Sequence, residues 1–310
     1  MSQGPAIHAI VVCYHPDVAA VGRMASALAG AGARVVLVDN TPGPSPLQGR
    51  EPPGAELLAL GRNTGIAHAQ NVGIRHALSA GTDIVVFFDQ DSQLEPGFLR
   101  ALVAPLVPGR PGVTGPRLLD EASGAELPAQ RLSPRGLPRP SYCGDRTAPL
   151  DVDVIIASGS AATREVFALA GLMDEALFID SVDTEWCLRC RAHGVPVQVV
   201  PAAVMRHRIG SAAVRIGRST VLLHSPTRCY YQFRNSVLLF KRAHVPFLFA
   251  LREALAIAWS RVLLLSVVQQ RTAYIRACLS GLYDGLRGVT GERPASPGSP
   301  SAPSTPPASG

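Results

Sequence analysis

The chain has 310 residues, of which 47% are hydrophobic and 17% are charged, with 29 Gly and 27 Pro. That apolar fraction excludes a wholly disordered chain, and six Cys are too few for a disulfide scaffold. The sequence shows no N-terminal signal-peptide pattern and no run of about 18 uninterrupted apolar residues. We therefore expect a cytoplasmic protein with reduced thiols.

The charge is distributed unevenly along the chain. Residues 1–185 hold 13 basic and 20 acidic side chains, a net charge of −7, whereas residues 186–310 hold 16 and 3, a net charge of +13. Residues 186–252 contain eleven Arg or Lys and no acid. A general preference for Arg explains why 28 of the 29 basic residues are Arg, but it does not explain the missing acids. Such a block attracts anions, namely phosphates, nucleic acid or an acidic membrane face.

Strand-like and helix-like patterns alternate over the first hundred residues. Short β-branched apolar runs predict buried strands, and apolar residues at helical spacing predict helices. The predicted strands are Ile7–Cys13, Arg34–Val38, Glu56–Leu60 and Asp83–Phe88, and the predicted helices are Pro16–Gly30 and Ile66–Ala80. This alternation indicates an α/β fold with a mostly parallel sheet, which binds ligands beyond the carboxyl ends of its strands.

The second half of the chain has fewer strand patterns. Residues 130–149 are rich in Pro and Arg and predict a long surface loop. The remaining predicted elements are strands at Asp153–Ala157 and Val195–Val200 and helices at Arg164–Ala170 and Asp183–His193. From about residue 225 to 286 the pattern is helical and apolar, broken by Pro246, and residues 291–310 predict a disordered tail.

Asp89 and Asp91 flank Gln90 directly after the most apolar predicted strand. Two carboxylates at the carboxyl end of a strand suit a hard divalent cation, because Mg²⁺ takes one or two carboxylates together with substrate phosphates. Acids in this position are also common in solvated turns, so the motif by itself does not establish a cation site.

Two further polar segments allow two interpretations each. Gly65, after Asn63, frees the backbone at a helix N-terminus, where phosphate is favoured, but Asn63 is also an ordinary capping residue. A cluster of three acids lies where a helix begins, namely Asp180, Asp183 and Glu185. Either they are ordinary acids of a first helical turn, or one of them is a general base.

Single His and Cys residues are less informative. His207, among Arg residues after a strand, is a candidate for a metal or phosphate contact or an ordinary surface His. Cys187 and Cys190 form a CxxC without a second pair, so a zinc site is not expected and both are interpreted as small apolar residues.

Taken in order, these segments resemble the inverting family 2 glycosyltransferases with the GT-A fold, in particular bacterial rhamnosyltransferase-like members. The segments that carry the resemblance are VVCYHP at 11–16, LVDN at 37–40, RNTGIAHAQNVGI at 62–74, FFDQDS at 87–92, IASGSAATREVF at 156–167, GLMDEALFIDSVDTEWCLR at 171–189, HRIG at 207–210 and HSPTRCYYQFRN at 224–235. The resemblance covers about residues 7–240.

The resemblance implies a GT-A fold, with a mostly parallel central sheet flanked by helices and a helical C-terminal extension. The catalytic domain would span residues 1–240, with a nucleotide-binding part at about 1–110 and an acceptor-side part at about 111–240. An apolar helical extension at 241–290 and the tail at 291–310 would follow.

The resemblance also assigns roles to residues. Asp183 matches the catalytic base, although Val182 stands where Glu is usual. The nucleotide-side positions are Tyr14, Asp39, Asn63, Gly65, Asn71 and Asp89. Asp91 and His207 match metal ligands for Mg²⁺ or Mn²⁺. The positions of a lid over the diphosphate are Arg228, Tyr231, Arg234 and Asn235, and the acceptor-side positions are Ser158, Gly159, Glu185 and Trp186.

The implied activity is transfer of L-rhamnose from dTDP-L-rhamnose to a hydroxyl of a cell-surface glycan, such as O-antigen, or of a lipid-linked saccharide. The nucleotide sugar and the acceptor are the implied partners, and nucleic acid is not. UDP-galactose, UDP-glucose or UDP-galactofuranose remain alternative donors. A nucleotidyltransferase is disfavoured because residues 13–20 lack a Gly-rich basic loop. Intact Asp89, Asp91 and Asp183 disfavour a non-catalytic binder.

Residues 245–270 are strongly apolar but are interrupted by Arg252, Glu253 and Arg261. One interpretation is an interfacial helix on the cytoplasmic leaflet, which would make the protein peripheral to the membrane. The other is a helix packed on the catalytic domain or in a dimer interface. The sequence favours neither.

Overall fold

A computed structural model describes residues 4–207, 213–216 and 219–293 of the chain. The strands are β1 Ile7–Cys13, β2 Arg34–Asp39, β3 Ala55–Ala59, β4 Ile84–Asp89, β5 Gln93–Leu94, β6 Val113–Asp120, β7 Glu126–Leu127, β8 Ala129–Leu132, β9 Pro138–Ser141, β10 Leu150–Val152, β11 Ala161–Thr163, β12 Val197–His207, β13 Ala213–Ile216 and β14 Ser219–Leu222. The helices are α1 Val18–Gly30, α2 Ile66–Ser79, α3 Phe98–Val103, α4 Arg164–Ala170, α5 Val182–Ala192, α6 Pro226–Phe240, α7 Phe247–Val267 and α8 Arg271–Arg287, with a 3-10 turn at Glu175–Leu177.

The central sheet has the order β10-β12-β6-β11-β4-β1-β2-β3. Strands β3, β2, β1 and β4 are mutually parallel, as the alternating pattern predicts, while β11 runs antiparallel to β4 and β6. In the β-register Cys13 pairs with Asp39, and Val12 pairs with Asp89. The carboxyl ends of β1, β2 and β4 therefore meet at one edge of the sheet, and their polar residues meet there too.

Alternate residues of the parallel strands belong to two hydrophobic clusters. Ile10 of β1 packs in one cluster with residues of α2 such as Ile74, whereas Val11 packs in the other with residues of α1 such as Leu28. All of these side chains are fully buried. Because successive side chains of a strand point to opposite faces, the sheet is covered on both faces, as expected for an α/β fold.

Helices α6 and α8 pack through small residues of α8. A Cβ added at Gly281 of α8 would lie 2.3 Å from the carbonyl oxygen of Tyr230 on α6, and one added at Gly285 would lie 2.8 Å from that of Arg234. The two helices therefore approach backbone to backbone. The Tyr230 hydroxyl donates a hydrogen bond to Asp284 Oδ2 at 2.8 Å, which fixes the register of α8 on α6.

Two predictions about the middle of the chain are wrong. Residues 130–149 are not simply a loop, because β8 and β9 form an antiparallel hairpin there with Ala129 paired to Ser141. Pro138 and Pro140 hide this strand from the pattern. Among the described strands β9 pairs only with β8, and Pro is tolerated on an edge strand. The predicted strand at Asp153–Ala157 is irregular, and the strand lies earlier, at β10.

The other predicted elements are confirmed with bounds shifted by a few residues, and β12 extends beyond the predicted run to His207. The predicted disordered tail lies largely outside the described residues, which end at 293. Within the described residues, no helix combines the length and apolarity needed to cross a bilayer. Cys187 and Cys190 are buried among apolar side chains, as the sequence indicates, and burial raises the pKa of the Cys190 thiol to about 12.

Candidate functional site

Asp39, at the end of β2, orders the loop that follows it. Its carboxylate accepts hydrogen bonds from the backbone nitrogen of Thr41 at 3.0 Å and from the Thr41 hydroxyl at 2.5 Å. The Ser45 hydroxyl donates to its second oxygen. Only 1% of Asp39 is exposed. The structure therefore places this predicted nucleotide-side acid in a rigid loop at the ligand-binding edge of the sheet.

The amide of Asn40 connects the end of β2 to the start of α2. Asn40 Oδ1 accepts from the backbone nitrogen and the hydroxyl of Thr64 at 2.7 and 2.9 Å, and Asn40 Nδ2 donates to Asn63 Oδ1 at 3.1 Å. Gly65 caps α2 with φ of 84°, and a Cβ there would lie 2.6 Å from the Phe178 carbonyl oxygen. Only Gly fits this approach, so Asn63 and Gly65 hold the loop beside the cleft.

Gln90 connects the acidic turn to the end of β1, a role that sequence reasoning did not assign. Its Oε1 accepts from the backbone nitrogen of Tyr14 at 2.8 Å, and its Nε2 donates to the Tyr14 carbonyl at 3.1 Å. The turn that carries Asp89 and Asp91 is therefore tied to Tyr14, of which 46% is exposed. An exposed aromatic ring here can stack on a nucleobase.

Ser158 and Gly159 lie directly against the acidic turn. The backbone nitrogen of Asp89 donates to Ser158 Oγ at 3.2 Å, and this hydroxyl lies 2.9 Å from Ser92 Oγ. Gly159 has φ of 76°, and a Cβ there would lie 2.8 Å from Met205 Sδ. Asp91 follows Asp89 in the same turn and is exposed.

Asp183 lies in the first turn of α5. Its Oδ1 accepts from the backbone nitrogen of Thr184 at 2.8 Å, and its Oδ2 accepts from that of Ala157 at 3.4 Å. Burial raises the pKa of the carboxyl, and the negative charge of Asp180 adds to this rise, while the two hydrogen bonds oppose it. A carboxylate with a raised pKa binds protons more strongly, which suits a general base.

One cleft brings two of the predicted acids together, Asp89 and Asp183, whereas Asp91 is not among its described lining residues. It contains Asp89 from the end of β4, Asp183 from α5 and Arg228 from α6. Its other lining residues are Ile66, Gln70, Ile156, Ala157, Ser158, Ile179, Asp180, Ser181 and Val182. Three carboxylates, those of Asp89, Asp180 and Asp183, and one guanidinium from three distant parts of the chain therefore share one cavity at the carboxyl edge of the sheet.

Arg228 binds Asp180 at the wall of this cleft. Burial alone would lower the pKa of the guanidinium, but its hydrogen bonds with Asp180, and the charges of Asp180 and Asp89, raise it above its ordinary value. Arg228 therefore stays charged, and it contributes positive charge to a cleft that also contains Asp89.

The loop before α5 has an unusual backbone. Phe178, Asp180 and Ser181 all have φ between 63 and 64°, in the left-handed region that side chains with a Cβ disfavour. Asn235 Nδ2 donates to the carbonyls of Leu177 at 2.9 Å and Ile179 at 2.7 Å. Such a conformation persists only where its surroundings hold it, and here buried polar side chains of α6 do so.

These contacts revise the expectation that the predicted lid covers a diphosphate. Arg234 and Asn235 are fully buried, and the Arg234 guanidinium donates to the Leu177 carbonyl at 2.8 Å. Tyr231 is 4% exposed and stacks on Phe178 with ring centroids 4.8 Å apart. Of the four predicted lid residues, the structure places Arg228 in the cleft and the other three beneath the loop that shapes it.

Glu185 and Trp186 are part of the core rather than of the acceptor side. Glu185 is 1% exposed and forms hydrogen bonds of 2.9 and 2.8 Å with the Arg189 guanidinium. Trp186 is 2% exposed, donates to the Gly171 carbonyl at 3.0 Å and stacks on Phe167. Both side chains of α5 are buried in the core, and the sequence motif alone does not show this.

Asn71 has a structural role in α2. Its Nδ2 donates to the Met173 carbonyl at 2.9 Å and to Glu175 Oε1 at 2.8 Å, and its Oδ1 accepts from the Met173 backbone nitrogen. His68 Nδ1 lies 2.8 Å from the other oxygen of Glu175. Asn71 therefore anchors α2 to the 3-10 turn.

Within the described residues, no group of three or more His, Cys, Asp or Glu is arranged to hold a metal ion. The side chain of His207 lies outside the described residues, so its predicted role stays a prediction. The oxygen ligands of Asp89 and Asp91 fit Mg²⁺ or Mn²⁺, since such a cation needs few protein carboxylates when substrate phosphates complete its shell.

Comparison with solved structures shows the class of fold. GalNAc-T7 with UDP, GalNAc and Mn²⁺ matches with a TM-score of 0.59 at 14% identity, over 91% of this chain and 56% of that one. Residues 1–349 of TarS from S. aureus, in complex with UDP-GlcNAc, match with a TM-score of 0.55 at 14% identity, over 92% of this chain and 81% of that one. The fold is thus the GT-A fold of these enzymes, as expected.

Sequence comparison is more specific. The profile described as Glycosyl transferase family 2 matches residues 25–169. The chain is 35% identical over 288 residues to the dTDP-rhamnosyl transferase RfbF of Shigella flexneri, covering 92% of this chain and 97% of that protein. The chain belongs to glycosyl transferase family 2, and it is a glycosyltransferase similar to rhamnosyltransferases.

Proposed function

We propose that this glycosyltransferase moves L-rhamnose from dTDP-L-rhamnose to a hydroxyl of a cell-surface glycan or lipid-linked saccharide. Nearly full-length similarity to a dTDP-rhamnosyl transferase supports the choice of donor. The observation that carries the chemistry is that Asp89, Asp183 and Arg228 line one cleft. A donor bound at the carboxyl edge of the sheet would lie between the acidic turn and α5.

Asp183 is the proposed general base. Its carboxylate takes the proton from the acceptor hydroxyl, and the oxygen attacks the anomeric carbon from the face opposite the diphosphate. The new glycosidic bond forms as the bond from the anomeric carbon to the diphosphate oxygen breaks, and the electron pair leaves with dTDP. This single displacement inverts the anomeric centre and leaves Asp183 protonated. The raised pKa of Asp183 makes it a stronger base than an exposed Asp.

The basic side of the cleft stabilises the departing diphosphate. Arg228, held by Asp180 in the cleft that also contains Asp89, contributes positive charge where negative charge develops on the leaving group. We assign a divalent cation to Asp91, with His207 as a second predicted ligand. When bound, the cation supplies Lewis-acid neutralisation of the diphosphate charge.

The nucleoside is assigned to the edge formed by β1, β2 and α2. Tyr14 offers an exposed ring for stacking, and the loops of Asp39 and Asn63 lie beside it, with Gly65 packed closely against Phe178 at the helix start. Asp89 is assigned to the ribose side of the diphosphate. Asn71 is assigned an indirect role: it anchors α2 to the 3-10 turn and does not contact the nucleotide.

We further propose that the helical extension lies on the acidic cytoplasmic face of a membrane. Exposed apolar side chains recur at helical spacing on α7, with Leu255 and Trp259 each 62% exposed, and on α8, with Leu279 61% and Leu286 65% exposed. Such exposure is inconsistent with α7 and α8 burying their whole apolar surface against the catalytic domain. Exposed basic residues accompany these stripes, namely Arg252, Arg271, Arg276 and Arg287. Apolar stripes with flanking Arg are typical of helices that bind anionic lipid surfaces.

A donor panel tests the proposed activity. The purified chain with Mg²⁺ is offered dTDP-L-rhamnose, UDP-glucose, UDP-galactose and UDP-galactofuranose, and donor hydrolysis and thermal shift are measured. We expect dTDP-L-rhamnose to give the largest shift and the fastest hydrolysis. The Asp183→Asn variant should bind the same donor with little turnover. Preference for a UDP-sugar would change the assigned donor but leave the proposed mechanism in place. If no donor is turned over, both the donor assignment and the mechanism are contradicted.

A further inference from the structure

A second, smaller cavity lies next to the cleft. It is enclosed by β6, by the β8–β9 hairpin and by the residues around Ile155, and Asp183 lines it as well. Asp183 therefore stands where the two cavities meet, with one side toward Asp89 and Arg228 and the other toward the hairpin. We call this second cavity the hairpin pocket.

Two residues that line the hairpin pocket each carry a buried polar atom without a hydrogen-bond partner in the described part of the chain. These atoms are Nε of Arg117, a donor, and Oε1 of Gln130, an acceptor in its amide. The Arg117 guanidinium is fixed in place by an ion pair of 2.9 Å between its Nη2 and Glu126 Oε2. Glu126 in turn accepts from the backbone nitrogen of Gly144 at 3.2 Å, at the end of the hairpin. Buried polar groups without partners are costly, so they are rarely kept without use.

Besides its charged residues and Gln130, the pocket wall contains Ser141 and Thr184 and is otherwise apolar. Leu118, Leu127 and Ile155 line it beside the polar atoms. A fixed donor, an amide acceptor and a carboxylate, set among aliphatic side chains, match a ligand with many hydroxyls and with C–H faces between them. A saccharide has this chemistry. A nucleoside diphosphate is disfavoured in this pocket, because its negative charge would lie near the carboxylates of Glu126 and Asp183.

We propose that the hairpin pocket binds the saccharide acceptor, with Arg117 and Gln130 hydrogen-bonding its hydroxyls. This inference rests on the proposed function, and it assigns the body of the acceptor to the hairpin pocket and the donor to the cleft. The reactive hydroxyl then extends from the hairpin pocket to the junction at Asp183, which takes its proton, while the hydroxyl oxygen faces the anomeric carbon of the donor in the cleft. The β8–β9 hairpin becomes the element that selects the acceptor.

The Gln130→Leu variant is a sharp test, because Oε1 of Gln130 has no partner to lose. A purely structural Gln130 would leave activity unchanged or alter stability. As a binding residue, its replacement should raise the acceptor KM roughly tenfold, with donor KM and melting temperature unchanged or the latter slightly higher. The matched control is Gln198→Leu, since Gln198 bonds Asp151 and is not among the described lining of either cavity.

The probe is a panel of methyl glycosides of rhamnose, glucose, galactose and N-acetylglucosamine. Their binding is read by saturation-transfer NMR in the presence of dTDP and Mg²⁺, and their glycosylation by mass spectrometry with dTDP-L-rhamnose. We expect at least one glycoside to bind the wild type and the Gln198→Leu variant, and to bind Gln130→Leu at least tenfold more weakly. The Ser141→Trp variant, which fills the pocket, should abolish binding of the glycoside while dTDP still stabilises the protein.

The outcomes separate this inference from the proposed function. If no glycoside binds the wild type, or if Ser141→Trp and Gln130→Leu bind like the wild type, the hairpin pocket is not the acceptor site. If instead dTDP-L-rhamnose neither stabilises the wild type nor is hydrolysed by it, the proposed donor is wrong, and glycoside binding to the hairpin pocket is judged on its own.

Discussion

Arg228 and Asp180 form a bidentate ion pair at the wall of the cleft. Nε of Arg228 lies 3.1 Å from both carboxylate oxygens of Asp180, and Nη2 lies 2.9 Å from Oδ1. Asp180 belongs to the left-handed loop before α5, whereas Arg228 lies in the first turn of α6. The pair thus orients a guanidinium toward the cleft before any donor binds, and it connects the loop to the basic helix.

Replacing Arg228 should weaken donor binding. We expect Arg228→Gln to raise the KM for dTDP-L-rhamnose by tenfold or more and to lower kcat, because the diphosphate loses a charged partner in the transition state. Arg228→Lys should recover only part of this loss, since Lys cannot form the bidentate geometry. Steady-state kinetics check this, with the exposed Arg131 changed to Gln as the matched control. A donor KM equal to that of the wild type would remove Arg228 from the donor site.

Asp183 should control the pH dependence of turnover. Because its pKa is raised above the ordinary value of 3.8, the rate should rise with pH through that higher pKa as the base becomes deprotonated. Asp183→Asn should lower kcat by at least about a hundredfold while the thermal shift with dTDP is kept. The acid limb of the pH–rate profile should vanish from any residual activity.

The raised pKa of Asp183 also affects the stability of the folded protein. A carboxyl with a raised pKa in the folded state binds protons better there than in the unfolded chain, so its contribution to stability is most favourable at low pH. It declines as pH rises from the unfolded value through the folded one. We therefore expect Asp183→Asn to be as stable as the wild type or more stable at pH 7, measured by urea unfolding. A marked loss of stability at pH 7 would contradict this.

Asp91 should govern metal dependence. Chelation with EDTA should abolish turnover of the wild type, and added Mg²⁺ or Mn²⁺ should restore it. Asp91→Asn should raise the cation concentration needed for half-maximal activity by at least tenfold, because an amide is a weaker ligand for a hard cation. The exposed Asp145→Asn serves as a control of equal charge change. Unchanged activity of the wild type in chelator would exclude the metal role.

Asn235 should hold the loop that shapes the cleft. Asn235→Leu removes the side-chain donor to the carbonyls of Ile179 and Asp180, while the Leu177 carbonyl keeps its hydrogen bond from Arg234. We expect a loss of about 2–4 kcal/mol in the free energy of unfolding, from more than one unsatisfied buried group. The donor KM should rise as well, because the left-handed loop that carries Asp180 relaxes. Asn63→Leu, nearer the nucleotide side, should change the donor KM with a smaller loss of stability.

The exposed face of α7 should mediate membrane binding. The double variant Leu255→Glu and Trp259→Glu should reduce sedimentation with vesicles of phosphatidylglycerol and phosphatidylcholine at least tenfold, since it removes apolar area and adds repulsive charge. Leu169→Glu, at an exposed apolar position of α4, is the control. Vesicle binding should also fall with salt. Dimerisation of the wild type that the double variant abolishes, without any vesicle binding, would assign the face to a second copy instead.

The sequence predicted the parallel half of the sheet well, because β1, β2 and β4 are buried over most of their length and consist mainly of apolar residues. The structure places Asp89 and Asp183 in one cleft, and their roles there stay a prediction. The hairpin was missed because an edge strand containing Pro138 and Pro140 has no apolar alternation to detect. No local pattern distinguishes Glu185, which pairs in the core, from Asp183, two residues earlier at the cleft.

The amino-acid sequence by itself determined the alternation of elements, the uneven charge and the motifs that place this chain among the glycosyltransferases. Those features are local, so they can be read without knowing which segments meet. Only the tertiary structure decided that Arg228 faces Asp180 while Arg234, on the same helix, is buried beneath the loop. Direction around a helix and contact between distant segments depend on packing, and packing is settled by the whole chain at once.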